Sequence, residues 1–154
     1  SVVNDFENIH TRRALALETE AAAFVSVHLS WWKTEEENPF LLEWTSVETA
    51  VKKLRGIKPI YVMGDFNNPA DVRNEGYDLI TNAGWQDAYA VAATRIGSAT
   101  VPPAIDGWVG NEVPLRIDYI FSDQPQAVET YEVKFDGKML PCVSDHYGVA
   151  VTYA

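Results

Sequence analysis

A single cysteine, a shortage of basic residues and the lack of any long apolar run bound this chain of 154 residues. Cys142 has no partner for an internal disulfide, so a reducing, cytoplasmic setting is the simplest expectation. Its place between Pro141 and Val143 predicts a small, buried apolar residue. Lys and Arg number 12 against 22 Asp and Glu, a formal net charge of −10. Such a surface repels phosphate backbones and makes nucleic acid the less expected partner, whereas excess carboxylate suits a divalent cation. No stretch approaches the ~20 apolar residues of a membrane span, and no signal-peptide pattern opens the sequence, so no membrane partner is expected.

What the chain does have is a 47% hydrophobic content, enough for one globular domain over residues 1–154. Its most informative stretch is KPIYVMGDFNN, Lys58 to Asn68. Ile60, Tyr61 and Val62 favour extended backbone, and the apolar run has the length of a buried strand. Gly64 then permits a sharp turn. Asp65 and Asn67 emerge at the strand's carboxyl end, where open α/β sheets place ligand-binding groups, and Phe66 between them is expected to pack. Alone, this is equally well a strand followed by an Asx-rich turn.

Three further clusters join apolar runs to acid, amide or imidazole groups: VHLSWW at Val27 to Trp32, RIDYIF at Arg116 to Phe121 and SDHYGV at Ser144 to Val149. Phe24 to Leu29 alternates as a strand does and brings His28 to its end. A lone histidine there is more often structural than catalytic. Trp31 and Trp32 beside it could be core or the wall of a small-ligand pocket. Asp118 sits within an apolar strand, and the cost of burying its charge demands a partner, for which an imidazole is the natural candidate.

Between the clusters, Ser1 to Thr11 reads as a polar lead-in, Arg13 to Glu20 as a strand, and Thr34 to Asn38 as a charged loop. Asn38 and Pro39 then cap and start a helix that carries Phe40, Leu41, Trp44, Val47, Val51 and Leu54 at helical intervals and stops at Gly56. Strand, helix and strand predict a parallel βαβ unit. A second helix is expected over 76–82. Trp85 to Ala93 has no clean period, and Thr94 to Pro114 reads as a long Gly- and Pro-rich loop. Strands are expected over 115–121, 128–135 and 146–153.

In this order, GDFN at Gly64 to Asn67, RIDYIF and SDHYGV resemble the endonuclease/exonuclease/phosphatase superfamily, and VHL at Val27 to Leu29 is similar to its deoxyribonuclease I and phosphatase branches. The resemblance implies an α/β (α+β) chain forming part of a four-layer α/β/β/α sandwich. Family members usually run about a hundred residues longer, a length still within one large α/β domain. Their first half supplies a strand-end Asn and a metal-binding Glu, motifs not found here. The chain is therefore expected to be the C-terminal portion of such a domain, completed by a missing N-terminal half or by self-association.

By the same resemblance, His146 is the general base toward water and Asp118 orients its imidazole. Asp65 orients the nucleophile or touches the metal, while Asn67 and His28 donate to phosphoryl oxygens. Asp145 and Asp65 are the expected ligands of Mg²⁺, or Mn²⁺ in its place. VHLSWWK and the IDGW loop at Ile105 to Trp108 look most like bacterial sugar-phosphate phosphatases, so the implied function is a phosphomonoesterase acting on a sugar phosphate. Trp31, Trp32, Arg116 and Trp108 are the candidate substrate contacts. A Mg²⁺-dependent nuclease is the alternative within the same chemistry, and a non-catalytic binding module the alternative outside it.

Overall fold

A computed structural model describes residues 2–3, 14–34, 37–105 and 110–154. The elements run β1 (Val2–Val3), β2 (Ala14–Glu18), β3 (Ala23–His28), α1 (Pro39–Val51), β4 (Ile60–Asp65), α2 (Gly76–Asn82), β5 (Gln86–Asp87), α3 (Ala88–Val91), β6 (Thr94–Ile96), β7 (Asp118–Ser122), β8 (Val128–Lys134) and β9 (Gly148–Tyr153). Asn38 caps α1 as its sequence predicts, its side chain accepting the Phe40 N–H at 3.1 Å. Phe40, Trp44, Val47 and Val51 then bury one stripe of α1. They meet Val25, Val27, Ile60, Val62, Tyr119 and Phe121, the alternate residues of three strands, together with Ile80 of α2.

Six strands form a sheet in the order β1-β2-β3-β4-β7-β5, and three form a second in the order β6-β8-β9. β3 and β4 are parallel, joined through α1 as the βαβ pattern requires, while β7 runs antiparallel to β4. The smaller sheet covers the other face of the larger one. Ile120 packs there against a cluster built on Tyr131, Val133 and Val128, and Tyr61 of β4 meets Tyr153 of β9 with ring centroids 5.1 Å apart. The described layers are thus helices, large sheet, small sheet: a mixed α/β fold with two sheets.

Three expectations change. Thr94 to Pro114 is not all loop, because β6 pairs in parallel with β8 and Val101 bridges Leu115. The aperiodic Trp85 to Ala93 stretch resolves into a two-residue strand and a one-turn helix, each too short to show a period. Cys142 is exposed rather than buried, since it lies in a surface segment beyond the second sheet where neighbouring Val143 is exposed too. Apart from Val2 and Val3, the Ser1 to Thr11 lead-in lies outside the described residues, as do two residues of the charged loop and Asp106 to Val109. Among the described residues, no helix is long and apolar enough to cross a membrane.

Candidate active site

The site begins as a row across three adjacent strand ends. Strand register places His28 beside Asp65 and Asp65 beside Asp118. Because Val27, Phe66 and Tyr119 point into the helix-side core, side-chain alternation sends His28, Asp65 and Asp118 to the opposite face. The strands approach closely where the row forms: Gly64 has φ +130°, and a Cβ there would collide with the Val27 carbonyl oxygen.

Asp65 is the hub. Its Oδ1 accepts the Asn67 N–H at 2.8 Å, its Oδ2 accepts the Asn67 side-chain amide at 3.0 Å, and His28 Nε2 lies 3.3 Å from the same Oδ2. Asn67 adopts a left-handed φ of 50°, which asparagine tolerates better than most residues, and its second amide hydrogen goes to the Leu29 carbonyl at 2.8 Å. Both amide donors are thereby engaged. Asn68 adds a bond to the Ser30 carbonyl at 3.2 Å, so two consecutive asparagines tie the Asp65 turn to the segment after His28.

Asp118 faces the loop that carries His146. The imidazole Nδ1 donates to the Asp118 carboxylate, at 3.0 Å from one oxygen and 3.1 Å from the other. That bond raises the His146 pKa above its ordinary value of 6.5, against the opposing effect of burial. Asp65 and Asp118 are directly opposed across an antiparallel pair, where like charges repel unless a positive group intervenes. One ligand atom from each of Asp65, Asp118 and His146 lies within 4.8 Å of the others, a group that could hold a metal ion.

The remaining expected residues are dispersed. Asp145, expected as a metal ligand, is exposed and outside that group, and a hydrogen bond from the Ser144 hydroxyl at 3.0 Å holds its carboxyl below the usual range. Trp32 packs against Phe40 in the helix-side core instead of facing the carboxylate row. Trp31 is half-exposed, with Lys33 Nζ 6.0 Å from its ring centroid. Arg116 is turned inward: its guanidinium bonds Asp87 at 2.8 Å and lies over the rings of Tyr77, Tyr89 and Tyr119. Trp108 lies outside the described residues. Sequence reasoning passed over Glu43, whose buried carboxylate accepts the Ser30 N–H at 2.6 Å and the Ser30 hydroxyl at 2.8 Å. A carboxylate three residues after Phe40, on the buried stripe of α1, was the available signal.

No family model and no curated protein matches the sequence. Solved structures do. An endonuclease/exonuclease/phosphatase family protein from Leptotrichia buccalis is similar at a TM-score of 0.73 and 28% identity, over 93% of this chain and 53% of that one. A mannosyl-6-phosphatase from Bacteroides thetaiotaomicron gives 0.60 at 22% identity, over 86% and 51%. A 3′ phosphatase from Neisseria, bound to a product DNA hairpin, gives 0.65 at 16% identity, over 96% and 66%. The chain has the fold of endonuclease/exonuclease/phosphatase family structures, and it spans about half the length of the first two.

Proposed function

We propose that this chain is the C-terminal portion of a phosphoester hydrolase of the endonuclease/exonuclease/phosphatase family, and that the enzyme is a phosphomonoesterase acting on a sugar phosphate. The observation that carries the reading is the Asp118–His146 hydrogen bond, formed beside Asp65 at the ends of β4 and β7. Phosphoryl transfer needs an activated nucleophile and neutralisation of the phosphoryl oxygens. With its Nδ1–H committed to Asp118, His146 presents Nε2 as the basic atom, and Asp118 stabilises the imidazolium once a proton from water has been taken up. Asn67 holds the Asp65 carboxylate in a fixed orientation, so donation from Asn67 to a phosphoryl oxygen would replace its bond to Asp65.

The donor set fits a hard divalent cation in part. Both carboxylates of the group are already engaged, Asp118 by His146 and Asp65 by Asn67 and His28, so a cation held by Asp65 would share that oxygen with these bonds, with water and substrate supplying the rest of the shell. When bound, Mg²⁺ or Mn²⁺ would neutralise charge on the transferring phosphoryl group. The net charge of −10 favours a small phosphorylated substrate over a nucleic-acid strand. The structures of similar fold include a mannosyl-6-phosphatase, in line with that preference, and a DNA-bound 3′ phosphatase, in line with the alternative.

The test is phosphate release from a panel of sugar phosphates, run beside nicking of abasic and plasmid DNA, with Mg²⁺, Mn²⁺ or chelator. Release from a sugar phosphate that chelator abolishes is the expected result. In the enzyme that contains this chain, DNA nicking without phosphate release would make the protein a nuclease, and silence in both assays a binding module; the 154 residues by themselves are expected to be inactive or nearly so. We propose in addition that the sandwich is completed by chain not present here or by a second copy. Leu15 and Leu17 on β2 are 57% and 60% exposed, and they share a sheet face with Phe24 and Tyr61. β9 lies over β4 at an edge of the smaller sheet, so a strand added beside it would extend that sheet over β3 and β2. Light scattering on the protein alone reads out self-association.

A further inference from the structure

Thr100 stands in the stretch that looks least organised in the sequence, yet it is fully buried and each of its polar backbone and side-chain groups is placed against a site segment. Its Oγ1 accepts two backbone donors, the Ile117 and Asp118 N–H groups, each at 3.1 Å. Its own N–H donates to the Leu115 carbonyl at 2.8 Å, and its carbonyl accepts the Tyr147 N–H at 2.7 Å. Ile117 in turn accepts the Phe66 N–H at 2.9 Å through its carbonyl. One continuous set of bonds therefore runs from the residue after Asp65, through Ile117 and Asp118 at the entrance to β7, through Thr100, to the residue after His146.

We infer that Thr100 is a positioning residue: it fixes the Asp118 backbone and the His146 loop to one another, so that the carboxylate and the imidazole meet. The chemistry of the side chain fits this task. A hydroxyl oxygen has two lone pairs, and both are directed at consecutive N–H groups that the strand ladder leaves to be satisfied at the entry of β7. Valine has the same shape without the acceptor and would orphan both donors. The loop needs the tether because Pro141 to Asp145 are all exposed and contribute little packing to hold His146 in place. The catalytic consequence rests on the phosphoester hydrolase reading, whereas the positional claim does not.

The experiment compares Thr100→Val and Thr100→Ser with the unaltered protein by proton NMR in chelator. The unaltered protein should show a downfield imidazole N–H resonance from His146 and slow exchange of the Ile117, Asp118 and Tyr147 amides. Thr100→Val should lose that resonance and speed exchange at Ile117 and Asp118 by about tenfold or more, as expected when a buried donor loses its acceptor. Thr100→Ser, which keeps the oxygen, should retain both features. A Val variant with an intact resonance and unaltered exchange would overturn the inference. Should the Val variant not fold, exchange in the unaltered protein decides: protection at all three amides supports the tether, and exchange as fast as in exposed loops refutes it. If a phosphoesterase activity is found, Thr100→Val should lower kcat on the order of 10²-fold with little change in KM, the scale of a misplaced catalytic group. Lost NMR features, together with no hydrolase activity in the enzyme that contains this chain, would uphold Thr100 and count against the enzymatic reading alone.

Discussion

Two charge pairs hang from the entrance to β7, two residues apart, and they differ in nearly everything but their chemistry. Arg116 bonds Asp87 with side-chain exposures of 12% and 1%, whereas His146 bonds Asp118 with 26% and 15%. The first is closed in by tyrosines, and Tyr77 donates its own hydroxyl to the same Asp87 oxygen at 2.9 Å. The second opens onto Asp65. Burial lowers the pKa of Arg116, but Asp87, Tyr119 and Tyr77 together more than offset it and the guanidinium stays charged. An ion pair sealed from water and permanently charged can shape a fold but cannot exchange a proton with a substrate, while a partly exposed imidazole held by a carboxylate can do so.

The sealed pair should give the largest effect when broken. Asp87→Ala would strand a buried guanidinium and remove the cap of α3, and the expected loss is about 3–5 kcal/mol in urea unfolding. Replacing both partners, Asp87→Ala with Arg116→Met, should recover part of that loss, because no unpaired charge remains. A cost below ~1 kcal/mol for Asp87→Ala would erase the distinction between the pairs. At the open pair the order reverses. His146→Ala should alter stability little yet lower phosphoester turnover by roughly 10² or more in the enzyme that contains this chain. Near-normal turnover would remove His146 from the chemistry.

The same contrast explains what was legible in the sequence. The fold class could be read because β3, β4 and the capped α1 follow clean periods, and those periods bring His28 and Asp65 to the ends of β3 and β4. That Asp118 would find an imidazole followed from the cost of an unpaired buried charge, without knowledge of the loop between them. Arg116, a candidate substrate contact only by resemblance, is turned inward instead, because its tyrosine enclosure is assembled from α2, α3 and β7 and leaves no local trace. Thr100 and Glu43 act through tertiary hydrogen bonds, Thr100 to residues seventeen and eighteen places away and Glu43 to Ser30 thirteen places away, beyond the reach of any periodicity. Cys142 was expected inside because its neighbours are apolar, but adjacent apolar residues at a surface segment carry no such implication.

The smallest effect is the dependence of stability on pH, and it separates the pairs by slope. Folding raises the His146 pKa above 6.5, mainly through the hydrogen bond to Asp118. The folded state therefore holds its proton more tightly than the unfolded state does. The resulting stabilisation is complete below the unfolded pKa and disappears as pH rises through the folded one. Arg116 keeps its charge throughout this window, so its pair should contribute a constant amount. Urea midpoints measured in chelator, between about pH 5.5 and pH 8, should show the advantage of the unaltered protein over His146→Gln shrinking as pH increases. The advantage over Asp87→Ala should stay level over the same range. A His146→Gln difference that stayed flat or grew with pH would mean that Asp118 does not hold an imidazolium, and the two pairs would no longer be distinguished by their capacity to move a proton.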